Sequence, residues 1–430
     1  MTASSVRRRT ADWFRTHTRP LATLDADAPL DDLEPLRDLI GDARVVAIGE
    51  GAHFVAEFTQ VRRRLIRFLA ERCGFRVLAF EFGFAEAFPL DRWLRGEGAD
   101  PDLAGMAGTT GSGLTGDLAR WLRRHNNTSG SPLRLVGLDT PDAGGTLRPA
   151  LEPVRRYLAE VDPELEPAVR RALAIADRVA GRSAAVAAPR WSRLDPADQT
   201  ALTAVLSRIA TRFRALEPLY VQRGDRPRYD LAVQHLRAAV HADYMFSAMH
   251  DLFSGKGLSG DPSARERFMA DSFLWHLRRC APGERVLLVA HNNHIQKTPF
   301  SFDGALVALP LGSYLDQSLG EDYRALALTH TADSVPEMYP DESAELGFEV
   351  NSTVLGAPTP GSPEGALLDA GFGAVASCVD LRPLRHDRAG EVLLDRIRTQ
   401  SVELAVPVPE AFDGLVCVPT ATAHVETALR

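Results

Sequence analysis

The chain is poor in most of the signatures that assign a protein at sight. It has four cysteines in 430 residues, at positions 73, 280, 378 and 417, and no CxxC pair. Each sits in an apolar or helical context, where a free thiol packs as a small hydrophobe. A disulfide framework is thereby excluded and a reducing, cytoplasmic setting is expected. No run approaches the roughly 18 apolar residues of a membrane-spanning helix. The basic segment from Met1 to Asp12 lacks the apolar stretch of an export signal. Neither export nor a membrane partner is therefore expected. Lysine is nearly missing, with Lys256 and Lys297 alone among 49 basic residues. The arginines are interleaved with 57 acidic residues for a net charge of −8. That is the pattern of a solvated surface and not of a nucleic-acid footprint. Gly-x-Ser-x-Gly, Walker A and HExxH are all absent, against the common serine-hydrolase, nucleotide-hydrolase and zincin schemes. Gly111–Gly116 spells GxGxxG, but no strand precedes it, so it reads as a loop.

What is present is an ordinary globular composition, 45% apolar and 25% charged. Short apolar runs recur at Val45–Ile48, Val77–Phe80, Leu135–Leu138 and Val286–Val289. Others follow at Ala305–Leu309, Ala325–Leu328, Ala374–Val379 and Leu415–Val418. Apolar runs that do not alternate predict buried strands of a mostly parallel sheet. Between the first two lies Glu57–Arg72, with Phe58, Val61, Leu65, Ile66, Phe68 and Leu69 at helical spacing, so this region reads as βαβ. From about Leu151 to Arg279 there are amphipathic helical stretches and no strand. The expected fold is α/β, a central mostly parallel sheet flanked by helices in three α/β/α layers, with an inserted helical cap. The division is a helical lead-in over 1–40, core halves over 41–150 and 281–430, and the insertion over 151–280.

Four strand ends carry ionisable groups: Glu50 with His53, Glu81, Asp139, and His291 with His294. Each is costly to bury unpaired. Capping of the next helix explains one such residue, Asp139 best; a shared polar pocket explains all four together. There is also an internal echo. The segment from Arg44 to His53 aligns without gaps on the segment from Arg285 to His294, and both close a strand with a polar cluster. Open α/β sheets build their sites at such carboxyl ends.

The motif Gly49-Glu50-x-x-His53, followed by Glu57-Phe58, Arg62 and Glu81, resembles the N-terminal motif of the erythromycin esterase family. That family includes succinoglycan-biosynthesis-type relatives. Ala290-His291-Asn292-Asn293-His294 is similar to its second motif. Weaker echoes are Trp121-Leu122-Arg123 with Gly137-Leu138-Asp139, Arg265-Glu266 with Met269-Ala270, Gly312-Ser-Tyr-Leu315, and Asp380-Leu381-Arg382. The resemblance spans roughly residues 40–385. It implies His53 as catalytic histidine, Glu50 as its paired acid, Arg62 as site arginine, Glu81 as second acid, and His291 and His294 as the remaining histidines. Two departures are visible. The motif reads Gly-Glu-Gly-Ala-His here where the family writes Gly-Glu-Ala-Thr-His. In the Arg265 helix, Glu266 and Ser272 stand for an aspartate and an asparagine.

The chemistry fits these residue types. A histidine oriented by a carboxylate is suited to take a proton from water. Arg62 is suited to stabilise an oxyanion or hold a substrate carboxylate, or else is a surface helix residue like its neighbours Arg63 and Arg64. Asp139 and Asn292 are assigned to substrate contact. Metal binding at His291, His294 and Glu50, with His53 and Glu81, is the competing scheme, since distant relatives of the fold look like metalloproteases. The esterases are taken to work without metal, so none is expected. Other histidines, His17, His125, His235, His241, His250 and His276, read as packing or surface residues, with the region 235–250 also suited to line the pocket from the cap. The expected function is hydrolysis of an ester, possibly a macrolactone, in a small-molecule or peptide-like substrate by His53-activated water. The same groups suit elimination, cyclisation or acyl transfer, and a non-catalytic binding protein is the third reading. Oligomeric state is not readable.

Overall fold

The computed structural model describes residues 3–99, 103, 114–302, 306–386 and 394–424. An eight-stranded sheet forms from β1 (Arg19–Pro20), β2 (Val45–Ile48), β3 (Phe75–Gly83), β4 (Arg134–Asp139), β5 (Arg285–Val289), β6 (Tyr323–His330), β7 (Ser377–Asp380) and β8 (Gly414–Val418). Across the sheet the order is β1-β7-β8-β6-β2-β5-β3-β4. From β8 to β4 every pairing is parallel, while β7 runs antiparallel to both of its neighbours. The strands read as unbroken apolar runs because both faces are covered. Val46, Ile48, Leu78, Leu287 and Leu326 face one core, and Val45, Ala47, Val77, Leu288 and Ala325 face the other. Successive residues thus alternate between the two cores.

The echo between the two motifs has a physical counterpart. β2 and β5 are parallel neighbours, and their register pairs Val45 with Val286 and Ile48 with Val289. The gapless alignment therefore matches residues that lie side by side. Both polar clusters leave the sheet at the same edge.

One expected strand is corrected. Leu306–Ala308 forms a two-stranded hairpin with Phe300–Phe302, outside the main sheet. Two further hairpins, Ser334–Pro340 with Phe348–Val354 and Arg396–Thr399 with Val402–Ala405, are additional to the strands expected. Much of their surface is polar and they lack the apolar-run signal. Between Arg148 and Leu277 the described chain is helical, with helices such as Arg148–Val161, Pro196–Ala215, Arg226–Phe253 and Ser263–Leu277. Most of these pack around a third core containing Leu151, Leu206, Phe213 and Phe246. No described helix is long and apolar enough to cross a membrane. Of the GxGxxG letters, residues 111–113 lie outside the described residues. Thr115 caps the helix Gly116–Thr128 through its side chain.

Candidate active site

Helix Ala56–Arg72 follows β2 after a tight turn and lays Phe58, Leu65, Ile66 and Leu69 against the sheet. Position 62 falls within that apolar stripe, four residues after Phe58 and four before Ile66. Its guanidinium is accordingly 1% exposed. Arg62 Nη1 donates to Glu50 Oε2 at 2.5 Å, Nε to the Gly49 carbonyl at 2.9 Å, and Nη2 to the Ala290 carbonyl at 2.7 Å. Arg62 thus ties the ends of β2 and β5 together from behind. Each of its three nitrogens is thereby hydrogen-bonded within the protein, behind the histidines. Arg64 is equally buried, against Asp32, whereas Arg63 reaches the exposed Asp27.

Glu50 Oε1 faces His53 Nδ1 at 2.8 Å. A carboxylate accepts only, so Nδ1–H donates to Glu50 and Nε2 is the ring nitrogen left for another partner. The ring of His291 lies 4.8 Å from that of His53, centroid to centroid. His291 Nδ1 accepts the Asn293 backbone N–H at 3.1 Å, which leaves Nε2 as the N–H. Among the described residues that Nε2 has no partner, although His291 is 3% exposed. Burial, together with His53 and His294, holds the His291 pKa well below the ordinary histidine value. Burial thus favours the neutral ring, with Nε2–H as donor.

Glu81, at the end of β3, organises the other side. Its Oε2 accepts the His291 backbone N–H at 2.8 Å. Its Oε1 lies 3.1 Å from His294 Nε2 and 3.2 Å from Arg265 Nη2. Burial alone would raise the Glu81 pKa, but His294, Arg265 and His53 hold it well below the carboxylate range. His294 Nδ1 meets Glu266 Oε1 at 2.6 Å. Burial opposes protonation of His294, yet Glu266 and Glu81 raise its pKa to about 10, so it is an imidazolium.

That shift has a consequence for stability. A folded value raised from 6.5 to about 10 adds stability that is complete below pH 6.5 and is lost as the pH climbs through about 10. Thermal melts of the wild type are expected to decline over that interval, and His294→Gln should flatten the decline. Equal alkaline limbs in the two proteins would contradict the double carboxylate pairing.

The two residues assigned to substrate contact are engaged internally. Asp139 is 1% exposed and takes Arg265 Nε at 3.0 Å and Nη2 at 2.5 Å. Its Oδ1 also accepts the N–H of the next residue, Thr140, at 2.7 Å, a local contact and not a cap on the following helix. Asn292 uses Nδ2 and Oδ1 on the carbonyl and N–H of Leu328, extending the ladder towards β6. A Cβ at Gly49 would stand 1.8 Å from Asn292 Oδ1, which explains a glycine at that place in the motif. Arg265 and Glu266, noted in the sequence only as weak echoes, join the site from the helix Ser263–Leu277. Their sequence signal was the motif alone, since neither lies near the histidines along the chain.

The groups of the metal scheme are hydrogen-bonded within the protein. Glu50 is divided between His53 and Arg62, both His294 nitrogens face carboxylates, and His291 Nδ1 accepts a backbone N–H. Among the described residues no cluster of three or more His, Cys, Asp or Glu has metal-binding geometry.

Comparison with known proteins agrees with the fold. The chain is 33% identical to the erythromycin esterase type II of Escherichia coli over 413 residues, covering 94% of this chain and 96% of that one. It is also 33% identical to the type I enzyme of Escherichia coli over 394 residues, 91% and 94% of the two chains. A solved structure of a mutant erythromycin esterase EreC, in its open conformation, superposes with a TM-score of 0.87 at 31% identity, over 94% of this chain and 98% of that one. The erythromycin esterase family model matches residues 70–421, a stretch that begins after Glu50, His53 and Arg62. With this match and these relatives, the chain belongs to the erythromycin esterase family and is an esterase-like hydrolase.

Proposed function

We propose that the chain hydrolyses a carboxylic ester in a small molecule, with a macrolactone as the substrate class, by direct attack of water. The observation that carries the reading is the Glu50–His53 pair beside the unpartnered Nε2–H of His291. His53 Nε2 takes a proton from water as the oxygen adds to the ester carbonyl. Glu50, held by Arg62, stabilises the imidazolium that results. His291 Nε2–H donates to the tetrahedral oxyanion, and Glu81 holds the His291 backbone in place for it. Collapse of the intermediate breaks the bond to the alkoxide, which leaves as the alcohol with the proton from His53. The helical segment acts as a cap that supplies Arg265 and Glu266 to the Glu81 network. The names of the two bacterial relatives support the macrolactone class, and the spent ligand atoms support a route without metal. Four free thiols suit a reducing, cytoplasmic setting.

The test is turnover of erythromycin and of 4-nitrophenyl butyrate in 18O-labelled water with and without EDTA. The expected result is one labelled oxygen in the acid product and a rate indifferent to chelation. Unlabelled product would point to elimination or cyclisation, and a chelator-sensitive rate would overturn the metal-free route.

A further inference from the structure

Two non-glycine residues among the described ones have positive φ, Phe54 at 64° and Gln400 at 48°. Side chains with a Cβ disfavour this region, and such outliers persist only where surrounding contacts over-determine them. These two lie 346 positions apart in the chain yet converge on one place. Gln400 is at the tip of the hairpin Arg396–Thr399 and Val402–Ala405. Its backbone N–H donates to the Gly51 carbonyl at 2.6 Å. Its side-chain Oε1 accepts the His53 backbone N–H, also at 2.6 Å. The turn Gly51–His53 is thus gripped at both ends by one residue.

The orientation of the amide is dictated by its partners. His53 N–H requires an acceptor, so Oε1 faces it. Nε2 then donates to Glu337 Oε1 at 3.1 Å, and Glu337 Oε2 accepts the Ser401 N–H at 3.0 Å. The neighbouring Thr399 Oγ1 donates to Asn293 Oδ1 at 3.2 Å, reaching the second histidine turn. On the far side the Phe54 carbonyl accepts the His424 N–H at 2.8 Å.

We propose that Gln400, oriented by Glu337, is a positioning residue that holds the His53 backbone so that the ring stays on Glu50 with Nε2 towards the ester. This rests on the reading of His53 as the base. Gln400 touches no reacting atom; it acts through the peptide of His53.

The test exchanges donor and acceptor. Gln400→Glu places two carboxylates face to face, and Glu337→Gln leaves two amides. The double variant restores the pairing between 400 and 337, because the introduced carboxylate accepts from His53 N–H and from the introduced amide, whose oxygen accepts Ser401 N–H; only the Met338 N–H, which Glu337 Oε1 also accepts at 2.8 Å, loses its acceptor. With 4-nitrophenyl butyrate, Gln400→Glu is expected to lower kcat about thirtyfold with KM little changed, since displacements of about 1 Å cost up to about 100-fold. The double variant should return to within about threefold, with melting temperatures close throughout. A second readout needs no turnover: the 15N ring spectrum of His53, identified by its disappearance in His53→Ala. It should change in Gln400→Glu and return in the double variant. Wild-type kcat and ring spectrum in Gln400→Glu, or loss without recovery in the double variant, would overturn the proposal. If His53→Ala is inactive while Gln400→Glu is unaffected, only the positioning role fails. If His53→Ala retains full turnover, the base reading fails and takes this proposal with it.

Discussion

His53→Ala is expected to lower kcat by about 10²–10⁴-fold, the range in which a positioned general base contributes, while leaving the fold intact. The ring is partly exposed, with 17% of its side chain accessible, and it lies at a turn instead of in either sheet core. Its one side-chain hydrogen bond is to Glu50, which keeps Arg62 as partner after the substitution. Loss of the ring therefore removes a proton acceptor without stranding a buried charge. The measurement is steady-state kinetics beside a thermal melt. Turnover within tenfold of wild type, with an unchanged melt, would mean that another group takes the proton from water. Glu50→Gln should give a smaller loss than His53→Ala, because the imidazole remains and loses only the carboxylate that stabilises its charged form.

Arg62→Met should act on stability instead, and more severely. The substitution removes a buried cation and leaves Glu50, itself 3% exposed, as a buried carboxylate with His53 alone. The carbonyls of Gly49 and Ala290 lose their donors at the same time. Breaking a buried pair from one side costs about 3–5 kcal/mol, a large share of the roughly 5–15 kcal/mol that holds a domain folded. Urea denaturation measures it, and a loss below about 1 kcal/mol would show that Arg62 does not hold the two strand ends. Adding Glu50→Gln should recover part of the loss, since the two residues share one network. Conversely, if Arg62 met substrate, Arg62→Met would raise KM and leave the denaturation midpoint alone.

The two variants separate what was legible in the sequence from what was not. The strands at 45–48, 77–80, 135–138 and 286–289 could be read because burial on both faces turns a strand into an unbroken apolar run. The hairpins at 334–354 and 396–405 lie outside the main sheet and send only isolated residues such as Val335, Ile397 and Leu404 into its cores, so they carry no such run. The histidines were found because polar groups directly after apolar strands require partners. The partners themselves were only partly found. Glu50 lies three residues from His53, and local spacing suffices for that pair. Glu266 lies 28 positions from His294 and Gln400 lies 347 from His53, and no periodicity reports contacts of that range.

Glu50 and His53 as a pair, the residues at each strand end and the α/β class were determined by the amino-acid sequence itself, through apolar runs, spacing and motif. Direction was decided by the tertiary structure. It turned Arg62 inward behind Glu50, committed Asp139 to Arg265 and Asn292 to Leu328, and left the His291 Nε2–H without a partner among the described residues. A sequence records which groups are present and how far apart they lie along the chain. Which of them are consumed in holding the fold, and which remain free for a substrate, depends on what packs against each from distant parts of the chain.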